Sequence, residues 1–216
     1  MKRLALIGGI LFVPAIIVLI FLNIGKNNYQ KLPFYGEKTP VVTSGNQVDT
    51  IYHQVSTFFD SYNQKFSADS IQNRIWMASF LQPSCGEPCG FAYTQWKRLQ
   101  DALKASPALK FVNFYPQETV STIQLDSLMK RYEFDPQRVY FVGIPQDSIE
   151  SFLKREYLIT NYQLDTKEWQ IVLMDYQQRI RSYFNLTKKR EIDDLMGALT
   201  VLTKEKNLEE VAKNKK

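Results

Sequence analysis

Short apolar runs of strand length alternate along this chain with stretches in which apolar residues recur every three or four positions. Ile51 to Phe59 is rich in β-formers, with Lys65-Phe66 as its expected hairpin partner. Ile75 to Leu81 is a compact apolar run, and Ala92, Trp96, Leu99 and Leu103 follow it at helical spacing. Lys110 to Tyr115 repeats the strand pattern, closed by Pro116, and Ile123, Leu125, Leu128, Met129 and Tyr132 mark a helix within Thr119 to Phe134. Val139 to Val142 predicts a strand, and Gln146 to Tyr157 a helix with Ile149, Phe152 and Leu153 inward. Trp169 to Met174 and Arg179 to Phe184 predict two strands around a tight turn at Tyr176-Gln177-Gln178. Ile192, Leu195, Met196, Leu199 and Leu202 mark a terminal helix. Side chains alternate across a strand and return every 3.6 residues along a helix, so the two patterns are separable. Strands alternating with helices predict an α/β fold, a mixed central sheet with helices on both faces.

The front of the chain breaks this rhythm. Leu4 to Leu22 carries no charge and is rich in Leu, Ile and Val. At about 1.5 Å per residue it just spans a bilayer core, and Pro14 and the glycines are tolerated in such a helix. Lys2 and Arg3 precede it, which places residues 1–3 in the cytoplasm and the rest of the chain outside. No small-residue cleavage site follows the run closely, and no lipoprotein cysteine stands there, so an uncleaved anchor is expected rather than a signal peptide. Only three residues precede it, too few for a mitochondrial transit peptide, which points to a bacterial inner membrane with the domain in the periplasm. Residues 23–48, with Gly, Pro, Asn and Lys, read as a periplasmic linker whose Leu-Pro-Phe-Tyr-Gly piece is a spacer or docks on the domain. Residues 49–204 read as the domain and 205–216 as a basic flexible tail.

Composition narrows the partners. With 216 residues, 44% of them hydrophobic and 13% aromatic, the chain can bury one proper core. Much of the net charge of +5 sits at the two ends. No basic stripe interleaves with aromatics, so nucleic-acid binding is excluded as a reading.

The chemistry gathers in one stretch. Cys85 and Cys89 are the only cysteines, in a C-x-x-x-C spacing between the Ile75–Leu81 strand and the following helix. A helix N-terminus presents free N–H groups and a partial positive charge, and both favour a thiolate. Pro88 suits the first helical position, which puts Cys89 in the first turn and Cys85 on the loop before it. From there the pair can close a disulfide or pinch a soft metal ion, while the charge of Glu87 between them disfavours thiolates. His53 is the sole histidine. One histidine defines no site, and a plain polar role is expected for it. It has no nucleophile motif around it, so a catalytic triad is excluded. No Gly-rich phosphate loop is present, and Gln82 stands where a thiol peroxidase needs Thr or Ser before its cysteine.

From Leu32 to Leu202 the chain resembles the Sco/SenC proteins, membrane-anchored thioredoxin-fold factors for cytochrome c oxidase assembly. The resemblance rests on Leu32-Pro33-Phe34-Tyr35-Gly36, Asp49-Thr50-Ile51-Tyr52-His53, the two cysteines, and Val172-Leu173-Met174-Asp175 with Arg179-Ile180-Arg181-Ser182-Tyr183-Phe184. It implies a thioredoxin-like fold, cysteines that cycle between dithiol and disulfide, copper bound by those cysteines with a distal histidine, and a thiol or copper-site protein of a respiratory oxidase as partner. The chain departs from the pattern at several points. Gly86 and Gly90 replace the prolines that follow each cysteine, Lys167 falls where the distal histidine is expected, and Tyr115 precedes Pro116 where the family has an aspartate. No histidine follows His53 at all, so the chain resembles a divergent member in which the distal copper-ligand histidine is missing.

Copper chemistry turns that loss into an expectation. Cu(I) is soft and accepts two thiolates, whereas Cu(II) prefers added nitrogen or oxygen donors. Three readings follow: a thiol–disulfide oxidoreductase using Cys85 and Cys89, a Cu(I) chaperone using the same pair, or a non-catalytic domain with a structural Cys85–Cys89 bond. A bond across so short a loop removes little chain entropy and adds little stability.

Overall fold

The computed structural model describes residues 16, 31–43, 47–56, 66, 68–82, 87–106, 108–160 and 170–214. The unit from Leu32 to Lys216 holds all of the architecture below. The unit from Met1 to Lys31, with the expected anchor, lies almost wholly outside the described residues. Among the described residues no helix is long and apolar enough to cross a membrane.

Strands β1 (Lys38–Thr43) and β2 (Gln47–Tyr52) form an antiparallel pair. The main sheet has five strands, β3 (Trp76–Ser79), β4 (Lys110–Pro116), β5 (Val139–Ile144), β6 (Gln170–Met174) and β7 (Ile180–Asn185), in the order β5-β4-β3-β6-β7. The pairs β3–β4 and β4–β5 are parallel, and β3–β6 and β6–β7 antiparallel. Helix α1 (Glu87–Ala102) joins β3 to β4, α2 (Thr122–Arg131) joins β4 to β5, α3 (Ile149–Tyr157) follows β5, and α4 (Lys189–Lys213) closes the chain. This is a mixed α/β sheet of the thioredoxin-like kind.

The strands read as nearly unbroken apolar runs because both faces of the sheet are covered. Met77, Phe111, Phe141, Ile171 and Leu173 point to one face, with Ala92, Trp96 and Leu99 of α1, Leu125 of α2 and Leu195, Leu199 and Leu202 of α4. Trp76, Ala78, Val112, Phe114, Val142 and Val172 point to the other, with Ile149, Phe152, Leu153 and Tyr157 of α3. Local signals set the helix ends. Ser121 and Gln124 form a reciprocal capping box at the start of α2, and Leu158 ends α3 at a left-handed φ of 58°.

Three expectations need correction. The segment read as linker is largely part of the domain. Lys38–Thr43 is a strand, and Leu32 to Gly36 is bound to the sheet by Tyr35 N–H donating to Ile180 O (3.1 Å) and by Arg181 donating to the carbonyls of Pro33 (3.1 Å) and Leu32 (2.8 Å). Among its described side chains Leu32 alone packs against a core cluster, so the segment shows no periodic apolar signal. Gly36 has φ +96°, and a Cβ there would stand 2.4 Å from His53 Cβ, so this close approach requires glycine. Second, residues 205–213, read as flexible tail, continue α4. Glu205 turns inward to Arg181, and Lys206 Nζ donates to Asn73 O at 2.9 Å. Third, Phe66 is not in a strand; it packs on Tyr140 with ring centroids 5.2 Å apart. Lys65 and residues 57–64 lie outside the described residues.

Arg181 is the unusual occupant of this interior. Its side chain is fully buried, and its Nη1 lies 3.2 Å from Asp175 Oδ2 and 2.8 Å from Glu205 Oε2. Its guanidinium also stacks 4.2 Å from the Phe34 ring. Removing one partner of a buried charge cluster leaves the others uncompensated, at a cost of about 3–5 kcal/mol. Arg181→Met is expected to lower the urea unfolding free energy by about that amount. A loss of less than about 1 kcal/mol, the scale of an exposed ion pair, would show that the cluster is not what ties Leu32–Gly36 and α4 to the sheet.

Candidate functional site

The site is framed by the central strand and the helix after it. β3 lies between β4 and β6 and ends at Ser79. The chain then leaves the middle of the sheet through Phe80, Leu81 and Gln82 towards the two cysteines. Cys85 lies outside the described residues. Cys89 falls in the first turn of α1, as the Pro88 signal predicts. The helix is seated by Ala92, Tyr93, Trp96 and Leu99, each no more than 2% exposed. Tyr93 and Trp96 both pack on the rings of Phe134 and Phe141.

A buried polar group stands at the root of the cysteine segment. Asn113 of β4 is the register partner of Ser79. Its Oδ1 accepts from Ser79 Oγ (2.6 Å) and from Leu81 N–H (2.8 Å), and its Nδ2 donates to Leu81 O (2.7 Å). Sequence reading passed over this group. The available signal was one polar residue in each of two apolar strand runs, at Ser79 and Asn113.

The departures from the family pattern have physical surroundings. Gly90 lies against α2's end, and a Cβ there would stand 3.3 Å from the Tyr132 hydroxyl. Tyr115, where an aspartate is implied, is buried, and burial holds its phenol above the ordinary range, so a neutral group replaces an acid. Tyr115 also lines a cleft of about 240 Å³ with Thr122, Asp126, Lys130 and Tyr140. On the far side of the sheet Tyr183 donates to Tyr157 O at 2.9 Å, and burial first, then Tyr35, raises its phenol to about 12.

His53 is held by α3. Its Nε2 lies 2.9 Å from Glu156 O, which can only accept, so the ring carries its proton there. Two residues on, Val55 N–H donates to Gln178 O, and Gln178 Oε1 accepts from Trp76 Nε1. His53 therefore sits where β3 begins, while the cysteine segment leaves where β3 ends. Lys167 and Glu168 lie outside the described residues. The strand that follows them starts at the cysteine end, since Ile171 pairs with Ser79. Among the described residues no group of three or more His, Cys, Asp or Glu could hold a metal.

No protein-family sequence model and no curated protein matches the chain. Solved structures do. The chain is similar to BsSco, a member of the Sco family of cytochrome c oxidase assembly proteins, at TM-score 0.56 and 16% identity, over 80% of this chain and 98% of that one. It is similar to a SCO1/SenC family lipoprotein from Bacillus anthracis at TM-score 0.56 and 12% identity, over 79% and 95%. A candidate electron transfer protein from Aquifex aeolicus matches at TM-score 0.55 and 13% identity, over 69% and 92%. The chain thus has the thioredoxin-like fold of the Sco-type structures.

The Gly90–Tyr132 contact is testable by a double-mutant cycle. Glycine to alanine inside a helix gains about 1 kcal/mol where space allows. Gly90→Ala is expected to be neutral or destabilising in the native background and stabilising by about 0.5–1 kcal/mol beside Tyr132→Phe. Urea unfolding of the four chains reads the coupling, and equal effects in both backgrounds would remove Tyr132 as the reason for glycine.

Proposed function

We propose that this chain is a Sco/SenC-type protein that carries out thiol–disulfide exchange through Cys85 and Cys89 in respiratory oxidase assembly. The observation that carries the reading is the frame of the site. Cys89 lies in the first turn of the helix that follows the central strand, Cys85 lies in the short segment between them, and Sco proteins share the fold. In the exchange the Cys85 thiolate attacks one sulfur of a partner's disulfide, forming a mixed disulfide and releasing the partner's other sulfur as a thiolate. Cys89, deprotonated, then attacks the Cys85 sulfur. The Cys85–Cys89 bond forms, the partner leaves as a dithiol, and two electrons have passed to it. The uncharged run over 4–22 would hold the domain at the outer face of a bacterial inner membrane.

A second reading has its own support. The only histidine is held at the opposite end of the sheet, so copper as cargo would meet two sulfurs and no imidazole. Such a set suits Cu(I) and not Cu(II).

Two measurements separate these readings. With each single-cysteine variant, Cys85 is expected to alkylate faster than Cys89, and Cys89→Ala to accumulate the mixed disulfide with a small-molecule disulfide. Faster alkylation of Cys89 would reverse the roles, and exchange that survives loss of both cysteines would end the redox reading. With Cu(I), either Cys→Ala change is expected to abolish binding. With Cu(II), oxidation to the disulfide is expected without a stable thiolate-to-copper absorption, and Lys167→His to move the chain towards such an absorption. A stable Cu(II) band in the native chain would show that another residue, His53 first, supplies the missing ligand.

A further inference from the structure

Leu81 is fully buried four residues before Cys85, past the last ladder pair of β3. A buried backbone N–H and C=O there need partners, and no strand supplies them. The side chain of Asn113 does. Its amide offers one acceptor and one donor to Leu81, as a peptide unit of a neighbouring strand would, and Ser79 Oγ saturates the same oxygen. Ser79, Leu81 and Asn113 are each 0% exposed. The polar group is therefore sealed from water, and its bonds have no competitor.

We infer that Asn113 is a positioning residue for the Cys85–Cys89 couple: it fixes the point from which the chain enters the cysteine segment. This rests on the redox reading above. The far end of the segment is already fixed, because Cys89 belongs to a helix seated by Ala92, Tyr93 and Trp96. With both ends held, the open dithiol has less freedom to lose on closing, and the effective concentration of one thiol at the other rises. Freeing the Leu81 end loosens the open form and leaves the closed form restrained by its own bond. The clamp thus favours the disulfide. A residue that only stabilises the fold would act equally on both forms and leave their equilibrium unchanged.

The test equilibrates the full-length chain with mixtures of reduced and oxidised dithiothreitol. The protein pair passes two electrons and two protons to oxidised dithiothreitol as its own disulfide closes. Acid quenching, alkylation and mass counting give the fraction closed. Asn113→Ala is expected to lower the closure constant about tenfold, which raises the potential by about 30 mV for a two-electron couple. Ser79→Ala keeps both bonds from Asn113 to Leu81 and is expected to change the constant less than about threefold, or about 14 mV. Asn113→Ser, too short to reach Leu81, is expected to match Asn113→Ala and serves if that variant does not fold. Urea unfolding of both redox forms is expected to show a larger loss in the oxidised form. An unchanged closure constant with equal losses in both forms would overturn the inference alone. A native chain that never closes the bond would overturn the redox reading with it.

Discussion

The buried guanidinium of Arg181 is the interaction on which the rest of this domain hangs. One planar cation meets Asp175 from the β6–β7 turn, Glu205 from α4, and the carbonyls of Leu32 and Pro33. Two distant pieces of chain and the adjoining turn are thereby held to one strand. Asp175 also accepts from the N–H groups of Gln177 and Arg179, so it builds the turn as well as balancing the charge. Arg179 also lies over Phe34, at 4.5 Å from the ring centroid, and the ring stacks on Tyr52 of β2. The charge is expensive to bury, and the geometry offsets that cost by satisfying the guanidinium on every side.

The same economy governs the site. The central strand has sheet neighbours on both sides and helices on both faces, so its end is a rigid point of departure. Where the ladder stops, a side-chain amide continues it for one more residue. The chain therefore reaches the cysteines from one anchored root and ends at another, the first turn of α1.

Much of this was legible beforehand. The strand and helix around the cysteines, the two strands with the Tyr176–Gln178 turn, and the helices from Ile149 and Leu195 all carry strong apolar periods, because each buries a continuous stripe. Pro88 marked the start of α1 correctly. The misses share one cause. Ser79, Asn113, Arg181 and Glu205 are polar residues whose partners lie far along the chain, and a polar residue in a sequence reads as surface. The β1–β2 pair and the last turns of α4 were lost for the same reason, since their attachments run through backbone groups and charges rather than apolar faces. The carbonyl of Glu156 that holds His53, 103 residues away, could not be foreseen.

The pairing of β6 with β7 carries an implication about chain length. Leu173 pairs with Ser182, but Met174 pairs with Ile180, so Arg181 is the extra residue of a bulge. Ile180 faces the α3 side and Phe184 the opposite core. Each lies on the same side as its own partner, Met174 and Ile171. A strand without residue 181 would therefore close into a regular ladder with every other side chain on its present face. Arg181 can be viewed as an insertion into a complete hairpin. Its gain or loss in a lineage would leave the strand's register alone and change what Asp175, Glu205 and the carbonyls of Leu32 and Pro33 are bound to. Glu205 would lose its ion-pair partner, whereas Asp175 would keep Arg179 and the turn N–H groups, so a homologous chain one residue shorter here should carry a neutral side chain at 205 and keep the carboxylate at 175.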